Sequence, residues 1–252
     1  MGRRGWTRLG LVGAVLIGVV VGARLVSPRA ISSVAVRAAN PRLAFPISGF
    51  GGYQWTGRVT QIASTWRVPP IDTKSPSGSA ATWIGAQSNA TNQFIQVGVF
   101  EQSLSPPTIS YRAFWSDGAL GDLPQWIGEV HSTDNVTASL VQDRGGWTAR
   151  FIDQATGLTF TKSVAYGAGT SFTTGEWLQE DPIVSSASNV DGPYPDMASV
   201  SFQRLQVAGR APSPGLLNRL TLTTAGGLVL VPTGVHHDAF TFSARGAPAT
   251  GF

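Results

Sequence analysis

From Gly51 onward the chain sustains no helical period; it runs instead in short β-branched and aromatic stretches cut by Gly, Pro, Asn and Asp. Runs of that kind bury one side of a strand, so strands are predicted at Arg58–Val68, Ala81–Gln87, Gln93–Glu101, Thr108–Asp117, Gln125–His131, Val136–Gln142, Trp147–Asp153, Leu158–Ser163, Thr173–Glu180 and Ala198–Val207. Three more follow near Arg219–Thr223, Leu228–Val231 and Ala239–Ser243. Turn signals such as Pro69-Pro70, Ser105-Pro106-Pro107 and Asp143-Arg144-Gly145-Gly146 separate them. Close spacing of short strands predicts an all-β chain of antiparallel sheets packed face to face. Trp147, Ala149 and Phe151 alternate against Val136, Ala138 and Leu140, as a hairpin with one buried face should.

The segment before Gly51 reads differently. Met1–Arg8 is basic and Leu9–Ala23 is apolar, the grammar of an export signal with small residues at Val21 and Ala23; an uncleaved signal-anchor is the alternative. Residues 1–26 are therefore expected to be a signal peptide or anchor, 27–50 a linker or pro-segment, 51–245 one β-sandwich domain and 246–252 a tail. The domain is expected outside the cytoplasm, secreted or at the cell surface, and monomeric, touching a membrane only through an uncleaved leader.

The formal charge of +4 belongs to this leader: seven of the eighteen basic residues, and no acid, lie in residues 1–45. The remaining eleven bases face all fourteen acids, a weakly acidic body with no footprint for a phosphate backbone, so no nucleic-acid partner is expected. With no cysteine, thiolate chemistry and disulfides are excluded. The three histidines, His131 and the adjacent His236-His237, show no chelating spacing, so no metal and no cofactor are expected. A nucleophilic serine in G-x-S-x-G is absent.

What remains is amides and carboxylates on sheet faces. In Gln93–Glu101 a period of two puts Ile95, Val97 and Val99 on one face and Phe94, Gln96, Gly98 and Phe100 on the other. Gln96, between two aromatics, either ties neighbouring strands together or points at a ligand. In Thr174–Glu180 the same period puts Glu176, Leu178 and Glu180 together. These acids are either a solvated face or, partly buried beside Trp177, a general acid/base with a raised pKa.

An ordered series of motifs, from about Gln54 to Ser243, resembles the glutamic peptidases of the eqolisin group. Gln54-Trp55-Thr56-Gly57 is similar to that family's N-W-[SG]-G, and Ile62-Ala63-Ser64-Thr65-Trp66-Arg67-Val68-Pro69 to V-S-G-T-W-x-V-P. Ala81-Thr82-Trp83-Ile84-Gly85 resembles A-W-V-G, Phe94-Ile95-Gln96-Val97-Gly98-Val99 resembles I-L-Q-T-G, and Gly175-Glu176-Trp177-Leu178-Gln179-Glu180-Asp181 resembles A-E-W-I-V-E.

The resemblance implies a curved two-sheet sandwich of the concanavalin-like jelly-roll kind and an acid endopeptidase acting on peptide or protein substrates. It implies Gln96 and Glu176 as the catalytic dyad, with substrate contacts from Trp83, Trp115 and Glu180; Glu180, the second carboxyl of the motif, is the runner-up for the catalytic acid because it shares Glu176's face. Two departures stand near the implied groove. Ser116, in Tyr111-Arg112-Ala113-Phe114-Trp115-Ser116-Asp117, replaces an acid of the family's aromatic strand, and Gln87 stands where an aspartate is common. They motivate two alternatives: an inactive relative, and a non-catalytic cell-surface sandwich that binds glycan or peptide without turnover.

Overall fold

Fifteen strands form in the described part of the chain: β1 (Phe50–Thr56), β2 (Gln61–Arg67), β3 (Gly78–Ser88), β4 (Gln93–Ser105), β5 (Thr108–Asp117), β6 (Gln125–Glu129), β7 (Asn135–Asp143), β8 (Gly146–Asp153), β9 (Thr159–Ala165), β10 (Thr174–Glu180), β11 (Val200–Val207), β12 (Leu217–Leu220), β13 (Leu222–Thr223), β14 (Val229–Pro232) and β15 (Phe240–Ala244). The computed structural model describes residues 49–244 except 92, 119–122, 145, 167–169, 183–192 and 225. The leader, the tail and all of the linker but Gly49 and Phe50 lie outside the described residues.

The strands pair antiparallel in two sheets. One has the order β12-β1-β10-β3-β4-β5-β6 and the other β13-β14-β15-β11-β2-β7-β8-β9. Between them lies one core in which Ile84, Ile95, Val97, Val99 and Trp177 of the first sheet meet Ile62, Trp66, Leu140, Trp147, Phe151 and Phe202 of the second. Burying each of these large side chains favours folding by roughly 1.5–3 kcal/mol, enough in sum to hold a sandwich without a disulfide. The alternation read from the sequence thus has its physical cause: Ile95, Val97 and Val99 face the core.

Two differences from the sequence reading have local reasons. β1 is absent from the predicted strands because Gly51-Gly52 weaken the β pattern. Both glycines are required by close approach: a Cβ on Gly51 would lie 2.4 Å from Phe242 Cζ, and one on Gly52, at φ +131°, 2.2 Å from the Trp177 carbonyl oxygen. The single run predicted at Arg219–Thr223 is divided, β12 pairing with β1 in one sheet and β13 with β14 in the other. The chain changes sheets at Thr221 while the apolar alternation of Leu220 and Leu222 continues unbroken.

The outer face of the seven-stranded sheet, away from the core, carries a second apolar cluster. Ala81, Trp83, Phe94, Phe114 and Leu178 are buried there, with Phe50, Phe100 and Leu220 packed against them. Polar side chains on this face sit in a hydrophobic bed.

Candidate active site

One cross-strand row on that outer face gathers the polar groups. Gln54 of β1 pairs with Glu176 of β10, Glu176 with Gly85 of β3, Gly85 with Gln96 of β4, and Gln96 with Ser116 of β5. Glu176 and Gln96, eighty residues apart in the chain, stand on either side of a residue without a side chain. Strand spacing sets their Cα atoms about 10 Å apart, with a notch between the two side chains whose floor over Gly85 is the edges of the Trp83 and Phe94 rings.

Each member is held by its strand's core side. Trp177, fully buried, donates from Nε1 to the Ala63 carbonyl of β2 at 3.0 Å, pinning β10 to the opposite sheet and turning Glu176 outward. Ile95 and Val97 do the same for Gln96. Gly85 lets two rings close over it: a Cβ there would lie 2.7 Å from Trp83 Cζ3 and 2.9 Å from Phe94 Cε2.

The two functional groups are nearly covered, Glu176 at 6% exposure and Gln96 at 9%. Gln54 Nε2 donates to Glu176 Oε1 at 2.7 Å. Burial in the apolar bed pushes the Glu176 carboxyl up to about 7; the Gln54 hydrogen bond opposes that rise and the nearby Glu180 charge adds to it. Gln96 Nε2 donates to Ser116 Oγ at 2.8 Å, which uses one of its two hydrogens. Gln96 Oε1 is buried with no partner among the described residues. A carboxyl poised between its two protonation states, facing an amide with unspent donor and acceptor capacity, can exchange a proton with a water and bind a polarised carbonyl.

The other expected site residues are placed as follows. Trp83 lies on the outer face at 2% exposure, edge-on to Phe94 with ring centroids 5.6 Å apart, so it shapes the floor from beneath. Its Nε1 donates to Glu180 Oε2 at 2.9 Å. Glu180 shares Glu176's face but lies in register with Ala81, two rows away from Gln96. Trp115 requires a correction. It pairs with Val97 and turns into the core against Phe160 of β9, on the side of the sheet opposite Gln96. Parity is the reason: Ser116 is its neighbour and faces outward, so Trp115 faces inward. Gln87 does lie on the outer face, paired with Thr174 and Phe94.

Gln54 was not among the expected site residues. Its only sequence signal is its place at the head of the first resembling motif, since its partner lies 122 residues away. His131 pairs with Asp134 at 3.4 Å at a strand connection, and His236 and His237 lie between β14 and β15. Among the described residues no group of three or more His, Cys, Asp or Glu stands together as a metal site.

A family model described as the Peptidase A4 family matches residues 48–227. The fold is similar to that of scytalido-glutamic peptidase, solved with a transition state analog inhibitor: TM-score 0.61 at 16% identity, over 78% of this chain and 98% of that one. The same peptidase solved with a peptide-based transition state analog gives TM-score 0.62 at 17% identity, with the same coverage. SCP-B, a member of the eqolisin family of peptidases solved with the tripeptide Ala-Ile-His, gives TM-score 0.59 at 16% identity, again over 78% of this chain and 98% of that one. At such identities the likeness carries the fold. No curated protein sequence matches significantly.

Proposed function

The chain belongs to the Peptidase A4 family, and from that premise we propose that it is an exported glutamic endopeptidase of the acid range, hydrolysing peptide bonds with Glu176 as general base and acid and Gln96 as oxyanion donor. The observation that carries this reading is the row Glu176–Gly85–Gln96. It sets a carboxyl and an amide side by side on one sheet face, with a single residue between them. The Glu176 carboxylate takes a proton from the water as its oxygen forms a bond to the carbonyl carbon. The carbonyl oxygen becomes an oxyanion and accepts from Gln96 Nε2. Glu176 then gives the proton to the amide nitrogen, the C–N bond breaks, and acid and amine products leave with the carboxylate restored. No covalent intermediate arises.

A carboxyl raised to about 7 is suited to both halves of this cycle. The ionised carboxylate begins the cycle, and the proton it delivers to the leaving amine is the one it took from the water. Export is part of the same proposal and rests on the leader grammar of residues 1–26; the intact mass of the protein outside the cell tests its removal.

The enzymatic test is an assay of the purified protein on a denatured protein substrate from about pH 3 to 8, beside Glu176→Gln and Gln96→Ala. Loss of one oxyanion donor is expected to lower kcat by about 10²–10³-fold. Wild-type turnover in either variant overturns the dyad; peptide binding without any product by mass spectrometry moves the protein to the binding-module reading.

A further inference from the structure

The catalytic row extends past Glu176 on the side away from Gly85, and there it ends on an amide rather than on solvent. We propose that Gln54 is a positioning residue: it holds Glu176 by one oxygen, Oε1, so that the other, Oε2, is the oxygen presented to the notch and to the attacking water. This rests on the reading of Glu176 as the general base.

The hold comes from a definite direction. Gln54 lies on β1 and Gly85 on β3, the two strands that flank β10, so the bond at 2.7 Å takes Oε1 from the far side of the notch. Among the described residues Oε2 has no protein donor. A lone carboxylate on a flexible side chain would sample several rotamers, and a base that must meet a water in one geometry loses rate with every one of them. The donor itself stands on a fixed strand. Next to it Tyr53 is buried in the core and donates its hydroxyl to the Thr233 carbonyl at 2.7 Å, while Gly52 lets β1 close onto the Trp177 carbonyl.

The choice of an amide also has a chemical reason. Glu176 sits in an apolar bed that disfavours its charge, with Glu180 beside it. A neutral donor stabilises the ionised form without the full charge of a Lys or Arg, which would depress basicity and weaken the base. Gln54 thus keeps the carboxylate available while leaving it basic enough to remove a proton from water.

The experiment compares wild type with Gln54→Met, equal in length but without a donor, and Gln54→Lys, a charged donor at the same place. The Glu176 titration is read by ¹³C carboxyl NMR, its resonance identified by its loss in Glu176→Gln, and kcat/KM is followed against pH. Gln54→Met is expected to move the Glu176 midpoint and the acid-side limb of kcat/KM upward together, with kcat about tenfold lower at pH 6 and KM within about twofold. Gln54→Lys is expected to move the midpoint downward. If Gln54→Met leaves midpoint and limb in place, or, should that variant not fold, Gln54→Lys gives no downward shift, the inference is overturned. If the wild type has no peptidase activity while the midpoints still order as Lys, Gln, Met, the proposed function falls and the hold of Gln54 on Glu176 stands.

Discussion

Glu176 and Gln96 occupy one cross-strand row with only Gly85 between them, and each is hydrogen-bonded on its outer side, Glu176 by Gln54 and Gln96 by Ser116. The rings of Trp83 and Phe94 close over Gly85 because it has no side chain. Gly85→Ala is expected to push Trp83 or Phe94 aside, since neither can lie under 3 Å from a new Cβ. Overpacking of this kind costs about 1–3 kcal/mol, which urea denaturation reads directly. Peptidase turnover is expected to fall by more than that loss of stability explains, because the displaced rings rise into the notch between Glu176 and Gln96; unchanged kcat in a folded Gly85→Ala protein would show that substrate does not enter there.

Ser116, where the family resemblance leads one to expect an acid, accepts a hydrogen bond from Gln96 Nε2. Ser116→Ala removes that acceptor and leaves one buried N–H unmatched, a loss of about 1–3 kcal/mol. The amide then rotates more freely, so kcat is expected to fall about tenfold with little change in KM. Ser116→Asp, which puts a carboxylate three strands from Glu176 in the same apolar row, is expected to hold the amide and to move the acid-side limb of kcat/KM only slightly to higher pH. Steady-state kinetics across pH separates the two variants.

The Glu176-Trp177 pair shows why part of the site was legible in the sequence. A carboxyl facing outward beside a tryptophan facing inward is a period-two statement, and Trp177 realises it by reaching across the core to Ala63. The same rule, applied to Trp115-Ser116, sends Trp115 inward once Ser116 is opposite Gln96. The family resemblance alone could not supply that parity. β1 stayed hidden because its glycines answer to Phe242 and to the Trp177 backbone, contacts far away in sequence. Gln54 stayed hidden because register between β1 and β10 is a property of the whole sheet, set by turns and core packing more than by either strand. The sheet change at Thr221 has no signature in alternation at all.

Trp115 then carries a prediction of its own. Its ring packs beside Phe160, with the Lys162 ammonium 5.5 Å from the ring centroid, and is 8% exposed. Trp115→Ala is expected to cost about 3–5 kcal/mol of stability, as large aromatic truncations in cores do, without altering which peptide bonds are cut. Chemical denaturation together with product mapping by mass spectrometry checks this; a changed cleavage pattern at unchanged stability would return Trp115 to the substrate.

A second buried acid lies in the core and sets how the fold responds to pH. Glu101 is completely buried, and its Oε1 is 2.6 Å from Thr82 Oγ1, which is in turn 2.9 Å from Gln179 Oε1. Burial pushes its carboxyl well above the usual range, against the hydrogen bond from Thr82. Tyr111 of β5 and Tyr194 of the connection before β11 feel its charge, and both tyrosine hydroxyls are raised as well, first by burial and further by Glu101, with Asp181, just after β10, adding to the rise at Tyr194. In the neutral form each link from Glu101 through Thr82 to Gln179 has a donor and an acceptor. An unfolded glutamate titrates near 4.3, so between about 4.3 and the higher folded value the unfolded chain binds fewer protons than the native one. Stability contributed by neutral Glu101 is thus fully present below about pH 4.3 and declines as pH rises toward its folded pKa. Glu176, raised to about 7, contributes with the same sign, so the measurement is made in the Glu176→Gln background. There the melting temperature is expected to fall from pH 4 to pH 8, and Glu101→Gln, a neutral side chain of the same shape that still donates to Thr82, is expected to flatten the curve. A slope left unchanged by Glu101→Gln would mean that Glu101 is already ionised in the folded protein and that the acid preference of the fold comes from elsewhere.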